Sequence, residues 1–238
     1  MNTAGTAKGA LIRLFHVHKR YGPKNALVDL SLDIAKNEFV FITGPSGAGK
    51  TTLLKLLYLG EPASEGQILV DGMNLARIPA KRIPFLRRNF GIIFQDYKLI
   101  PTKTVFENVA LVPEAAGAKF RIIQKKVRSV LRTVGMEDKA DALPPSLSGG
   151  EQQRVAVARA VAGDPKIILA DEPTASLDED SARIIVDLLK GFHVRGGTVL
   201  LATHDRHLIL QTGGQVVHLR QGRLERITTA SAVRDRSC

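Results

Sequence analysis

A single cysteine, Cys238, and no tryptophan occur among the 238 residues. One thiol cannot close an intrachain disulfide, which excludes the disulfide-stapled secreted scaffolds and fits a reducing cytoplasm. No apolar run approaches the ~20 residues that span a bilayer, so no transmembrane segment is expected. The opening MNTAGTAKGA lacks the apolar stretch of a secretion signal, and residues 1–10 read as a disordered tail. Residues 229–238 read as a second tail, and a cysteine in last place does not make a prenylation box. Acidic residues are outnumbered, 23 Asp and Glu against 34 Lys and Arg, for a formal net charge of +11. Such an excess suits nucleic acid, a bound triphosphate or an anionic membrane face, and charge alone does not choose among them.

What remains is ordinary for a soluble globular protein: 44% hydrophobic and 24% charged residues, enough for one large domain with a subdomain. Leu11 to Ile34 alternates around the turn YGPKN as two paired strands would. EFVFIT (38–43) is a nearly continuous apolar run and reads as a strand covered on both faces. TLLKLLYL then takes helical spacing, and QILVDG and FGIIFQ read as strands. From about 96 to 165 the strand signals give way to helical ones, in TVFENVAL, KFRIIQKKVRSVLRTV and a helix opening at Ser148. Core strands resume with KIILAD and TVLLAT around a helix near 180–192, and QVVHLR with RLERI closes a hairpin. The pattern predicts an α/β core with an antiparallel β subdomain and an inserted helical subdomain.

Gly44, Gly49, Lys50 and Thr51 satisfy G-x-x-x-x-G-K-[ST] between a strand and a helix. In that setting Gly44, Pro45, Ser46, Gly47, Ala48, Gly49, Lys50, Thr51 and Thr52 can wrap nucleotide phosphates, through backbone N–H groups at every position but Pro45, which has none. Lys50 reaches the β- and γ-phosphates and the Thr51 hydroxyl is placed for Mg²⁺. KIILADEP supplies a second half: Asp171 at a strand end can hold the metal through water, and Glu172 beside it can act as general base on the attacking water. The alternative for Glu172 is a simple turn cap. A further stretch, LSGGEQQR, opens a helix at Ser148, Gly149, Gly150 and Glu151, where free N–H groups and the helix dipole favour an anion. One chain thus carries two phosphate sockets.

With these motifs in this order, the chain from about Leu11 to Ile227 resembles the nucleotide-binding subunits of ABC transporters. The resemblance implies the P-loop NTPase (RecA-like) ABC ATPase fold, ATP and Mg²⁺ as cofactors, and a homodimer formed head to tail with ATP. In it Ser148 to Glu151 complete the site of the other protomer. It also implies that Tyr21 stacks on adenine, that Gln95 senses the metal and the water, and that Asp178 lies in the D-loop at the dimer seam. His204 would be the switch histidine that holds the γ-phosphate and the catalytic carboxylate, with Lys50 and Glu172 as the other catalytic residues. The repair-type members insert a long coiled coil, but no sustained heptads occur here, and the translation-type members carry two cassettes. No nucleic acid is therefore expected, and KRIPFLRR and KFRIIQKKVR read as solvated faces or faces turned to lipid headgroups.

IPFLRRNFGIIFQDYKLIPTKTVFENVAL is similar to the cell-division branch of the family. Lipoprotein-releasing and macrolide-export ATPases are the alternative. The cell-division resemblance implies an integral membrane partner, a peripheral position on the cytoplasmic face of the cell membrane, and docking contacts at Tyr97, Leu99 and Ile100. For those three residues, packing inside the helical subdomain is the other possibility.

Overall fold

The computed structural model describes residues 9–232. The expected tail up to residue 8, and residues 233–238 with Cys238, lie outside the described residues. In chain order, the hairpin β1 (Ala10–Tyr21) and β2 (Lys24–Ala35) leads to β3 (Phe39–Thr43), α1 (Lys50–Leu57), β4 (Glu65–Val70) and β5 (Met73–Asn74). A short helix α2 (Ile83–Arg87) and β6 (Phe90–Ile93) precede three longer helices, α3 (Val105–Ala115), α4 (Phe120–Thr133) and α5 (Gly149–Val161). Then come β7 (Ile167–Asp171), α6 (Glu179–Val194), β8 (Thr198–Ala202), α7 (Arg206–Thr212), β9 (Gln215–Arg220) and β10 (Arg223–Thr229). Strand structure begins at Ala10 and reaches Thr229, with Ala230 buried after it, slightly wider than the expected 11–228.

Two helices differ from the sequence reading. KRIPFLRR is not all solvated face: Pro84 sits in the first turn of α2 and Leu86 is fully buried. α7 went unread because it is only seven residues long. Its signals are there, since Asp205 caps its start through Leu208 N–H at 3.1 Å and Gly213 ends it.

One sheet is antiparallel, in the order β2-β1-β4-β5; the other has six strands, β10-β9-β3-β8-β7-β6. All neighbours in the larger sheet run parallel except β10, which pairs antiparallel with β9. Period-two alternation sends Val40, Ile42, Ile167, Leu169, Leu200 and Ala202 into the core shared with α1 and the antiparallel sheet. The intervening Phe39, Phe41, Ile168, Ala170, Val199 and Leu201 face the layer holding α6 and α7. Both faces are covered, which is why these strands read as unbroken apolar runs.

The helices α3, α4 and α5 build a core of their own from Val105, Val109, Ile123, Val127, Leu131 and Val155. A capping box starts α3: Glu107 N–H donates to Thr104 Oγ1 at 3.1 Å, and Thr104 N–H donates to Glu107 Oε2 at 2.7 Å. Asn108 in its second turn is fully buried. Its Oδ1 accepts from Ile100 N–H at 2.8 Å, and its Nδ2 donates to the carbonyls of Ile100, Lys103 and Thr104 at 2.9–3.1 Å. Replacing it by leucine strands those groups in an apolar setting, so Asn108→Leu should lose about 2–3 kcal/mol of stability in urea unfolding. A loss under about 0.5 kcal/mol, the range of ordinary surface changes, would show that the loop does not depend on Asn108.

Candidate functional site

Register decides what meets at the end of the large sheet. Ile42 of β3 pairs with Ala202 of β8, and Ala202 pairs with Asp171 of β7. The segments leaving these strands therefore converge: residues 44–51 after β3, Glu172 after β7, Thr203 and His204 after β8, with Gln95 two residues past β6. This carboxyl edge of a parallel sheet is where such folds bind ligands.

The loop from Gly44 to Gly49 is packed too tightly for side chains at two points. A Cβ at Gly44 would sit 2.2 Å from the Leu219 carbonyl oxygen, and one at Gly49 2.7 Å from that of Ala26. Both glycines hold positive φ, 152° and 104°. Lys50, at the start of α1, donates to the Gly44 carbonyl at 2.9 Å, and its ammonium lies 3.7 Å from Glu172 Oε1. Glu172 itself has φ of 46°, an uncommon conformation for a residue with a side chain and one that clusters at functional sites. Its two carboxylate oxygens lie 3.0 and 3.1 Å from His204 Nδ1. Facing a carboxylate, which accepts only, Nδ1 carries the ring proton and the other nitrogen stays available. The His204 side chain is 72% exposed, so it bridges Glu172 to the molecular surface.

Asp171 is mostly buried, and burial raises its pKa, opposed by a hydrogen bond with the Thr51 side chain and reinforced by the neighbouring Glu172 charge. Its Oδ1 is buried without a hydrogen-bond partner among the described residues. An orphaned carboxylate oxygen beside a hydroxyl is a hard-oxygen pair suited to Mg²⁺, which takes one or two protein oxygens together with phosphates. No group of three or more His, Cys, Asp or Glu able to hold a metal occurs among the described residues, in keeping with such a sparse set.

Tyr21, Gln95 and Glu172 line one cleft with the loop and the start of α1, Ser46 to Thr52. The Lys19 ammonium stands 4.9 Å from the Tyr21 ring centroid and pairs with Glu61 Oε2 at 3.2 Å. Lys19 and Glu61 were not singled out by the sequence, which offers no local signal linking them to Tyr21.

None of Ser148, Gly149, Gly150 and Glu151 lines that cleft. Ser148 caps α5, accepting from Glu151 N–H at 3.3 Å while its own N–H donates to Glu151 Oε2 at 2.9 Å. A Cβ on Gly150 would lie 2.5 Å from Ser181 Oγ. That hydroxyl donates to Asp178 Oδ2 at 2.8 Å, and Ser181 N–H donates to Asp178 Oδ1 at 2.8 Å. The Asp178 carboxyl is held below its usual range by these bonds. The start of α5 and the D-loop candidate are thus one surface unit joined by Ser181.

Beyond Gln95, Tyr97 and Lys98 both adopt positive φ, 58° and 51°. Their carbonyls accept from the Arg159 guanidinium at 2.7 and 2.6 Å. Burial depresses the Arg159 pKa. Arg159 was missed, although a lone charge inside VAVARAVA signals a buried partner. Of the three docking candidates, Leu99 packs against the helical core, Tyr97 is half-buried with its hydroxyl against Gly149, and Ile100 is 36% exposed.

Residues 27–175 match the ABC transporter family. The chain is 44% identical over 218 residues to the cell division ATP-binding protein FtsE of Mycobacterium tuberculosis, covering 91% of this chain and 95% of that protein. It is 44% identical over 215 residues to FtsE of Escherichia coli, covering 90% and 97%. Among solved structures, the dimeric post-hydrolysis state of the ATP-binding cassette MJ0796 bound to ADP and Pi superposes with a TM-score of 0.85 at 35% identity, covering 92% of this chain and 98% of that one. The cbiO1 protein of Clostridium perfringens, part of the transporter complex cbiONQ, gives 0.86 at 28% identity, covering 96% and 92%. Sheet topology, strand-end cluster and sequence agree, and the chain belongs to the ABC transporter family as an ATP-binding subunit similar to FtsE.

Proposed function

We propose that this ATPase is the nucleotide-driven subunit of an FtsE-like cell-division complex. It works from the cytoplasmic face on an integral membrane partner of the FtsX type and so regulates peptidoglycan hydrolysis. The observation that carries the reading is the Lys50–Glu172–His204 cluster beside the glycine loop, in a chain 44% identical to FtsE over nine tenths of its length.

The backbone N–H groups from Ser46 to Thr51 and the Lys50 ammonium hold the phosphates of ATP, and Tyr21 supplies a flat face for adenine. Thr51 and Gln95, with Asp171 through water, would hold Mg²⁺, which would neutralise charge on the β- and γ-phosphates. Water attacks the γ-phosphorus, Glu172 takes its proton, and ADP leaves with the electron pair of the broken P–O bond. His204 keeps the carboxylate oriented through Nδ1. The oxyanion donors missing from this cleft come from Ser148 and Gly150 of a second copy, arranged head to tail. The location of these residues outside their own cleft supports that arrangement, as does the dimeric state of the similar cassette MJ0796. Asp178, tied to Gly150 through Ser181, then lies at the seam. The membrane partner docks beside Gln95, around Tyr97 and Ile100, with Leu99 fixing the loop from within.

The purified protein should hydrolyse ATP only with Mg²⁺, and Lys50→Ala should lower turnover about 10²-fold or more, the usual cost of a lost phosphate-stabilising donor. Turnover unchanged in Lys50→Ala, or unaffected by EDTA, contradicts the assignment. Co-purification with a membrane protein of the FtsX type tests the partner.

A further inference from the structure

The basic excess is not spread evenly. Residues 78–88 and 113–128 together hold nine Lys and Arg and one carboxylate, Glu114. Among the described residues, no carboxylate lies within ion-pair distance of Lys119, Arg121, Lys125 or Arg128, whereas Lys126 pairs with Asp164 and Arg132 with Glu137. The same two segments concentrate exposed apolar groups. Phe85, Phe120 and Ile122 are 61%, 70% and 59% exposed, three of the four large hydrophobic side chains that are more than half exposed among the described residues.

Arg88 joins the two segments. Its guanidinium lies 4.9 Å from the Phe85 ring centroid and donates to the Ala115 carbonyl at 3.0 Å, at the elbow between α3 and α4. Phe85 and Phe120 therefore flank one elbow. The opposite side of α4 is already committed to the core through Ile123, Val127, Val130 and Leu131. A protein groove would gather its apolar residues into a continuous floor. Here Phe120 and Ile122 stand on either side of Arg121, single apolar prongs among unpaired cations. This is the composition of a surface that sets aromatic and aliphatic tips at the headgroup boundary while Lys and Arg meet lipid phosphates.

We infer that the α2 segment and the N-terminal half of α4 form a direct contact with anionic lipid. The contact rests on the reading of this chain as a peripheral membrane subunit and adds an attachment that does not need the integral partner. It also gives the protein a preferred orientation on the bilayer, with α4 toward the lipid.

The test uses the full chain and extruded vesicles, either phosphatidylcholine alone or phosphatidylcholine with about a third phosphatidylglycerol, in flotation assays. Each basic side chain near an anionic surface multiplies partitioning about fivefold. Lys119→Glu with Arg121→Glu should therefore cut binding to anionic vesicles at least tenfold, as should Phe120→Ser with Ile122→Ser. Binding should weaken as salt rises and be absent on neutral vesicles. These side chains are exposed and none of them lines the nucleotide cleft, so ATP turnover in solution should match the parent. That measurement separates a failure of this contact from a failure of the ATPase reading. Equal binding to neutral and anionic vesicles, or variants that bind like the parent, overturns the contact. Retention only on proteoliposomes carrying the membrane partner, whatever the lipid charge, reassigns the patch to protein docking. Retention on duplex DNA with the same variant sensitivity, and none on vesicles, reassigns it to nucleic acid.

Discussion

Glu172→Gln should bind ATP as the parent does, hydrolyse it about 10²–10⁴-fold more slowly, and accumulate as a dimer. The amide keeps the shape of the side chain and can still meet His204, now 3.0 Å from the carboxylate. It removes the proton acceptor and a negative charge that lies 3.7 Å from the Lys50 ammonium. Loss of the acceptor stalls the step that would break the γ-phosphate bond. Loss of the charge relieves repulsion toward the triphosphate, so the closed dimer persists. Light scattering with and without ATP reads the change in mass, and nucleotide titration reads binding. A variant that binds ATP normally yet stays monomeric contradicts the role given to Glu172.

Ser148→Arg should lower turnover about 10²–10³-fold while leaving ATP binding intact, because the residue acts on nucleotide held by the other copy. Its hydroxyl oxygen accepts from Glu151 N–H, which leaves the O–H free to donate to a phosphate oxygen. Arginine ends both functions and places a bulky cation at a surface built for close approach. Part of the change is structural, since a lost N-cap costs about 1 kcal/mol. Ser148→Ala provides that reference: its stability loss should be similar and its loss of turnover smaller. If Ser148→Arg loses its own ATP binding in proportion to turnover, the residue belongs to the local cleft and the shared-site account is wrong.

The candidate nucleotide cleft is legible in sequence because its information is local. Residues 44–51 are contiguous, Asp171 and Glu172 are adjacent, and each follows an apolar run whose burial on both faces is visible as an absence of alternation. His204 gains meaning only from register, since β8 lies between β3 and β7 and brings it to Glu172. The unread parts are contacts between distant positions. Arg159 of α5 holds the Tyr97 and Lys98 carbonyls, Ser181 stands between Gly150 and Asp178, and Lys19, paired with Glu61, lies against the Tyr21 ring. No spacing rule links such residues, because the fold alone makes them neighbours. Leu99 shows the converse: an apolar residue after Gln95 suits docking or core packing, and it lies half-buried against the helical core.

The most direct measurement mixes two inactive chains. Lys50→Ala lacks phosphate grip but keeps an intact Ser148–Glu151 surface, while Ser148→Arg keeps its own loop and cleft. In heterodimers shown by mass to be present, one of the two composite sites is whole, and ATP turnover should return to roughly half the parent value per dimer, against at least 10²-fold loss in either chain alone. Mixtures that contain heterodimers and stay as inactive as their components would contradict a reaction centre assembled from two copies.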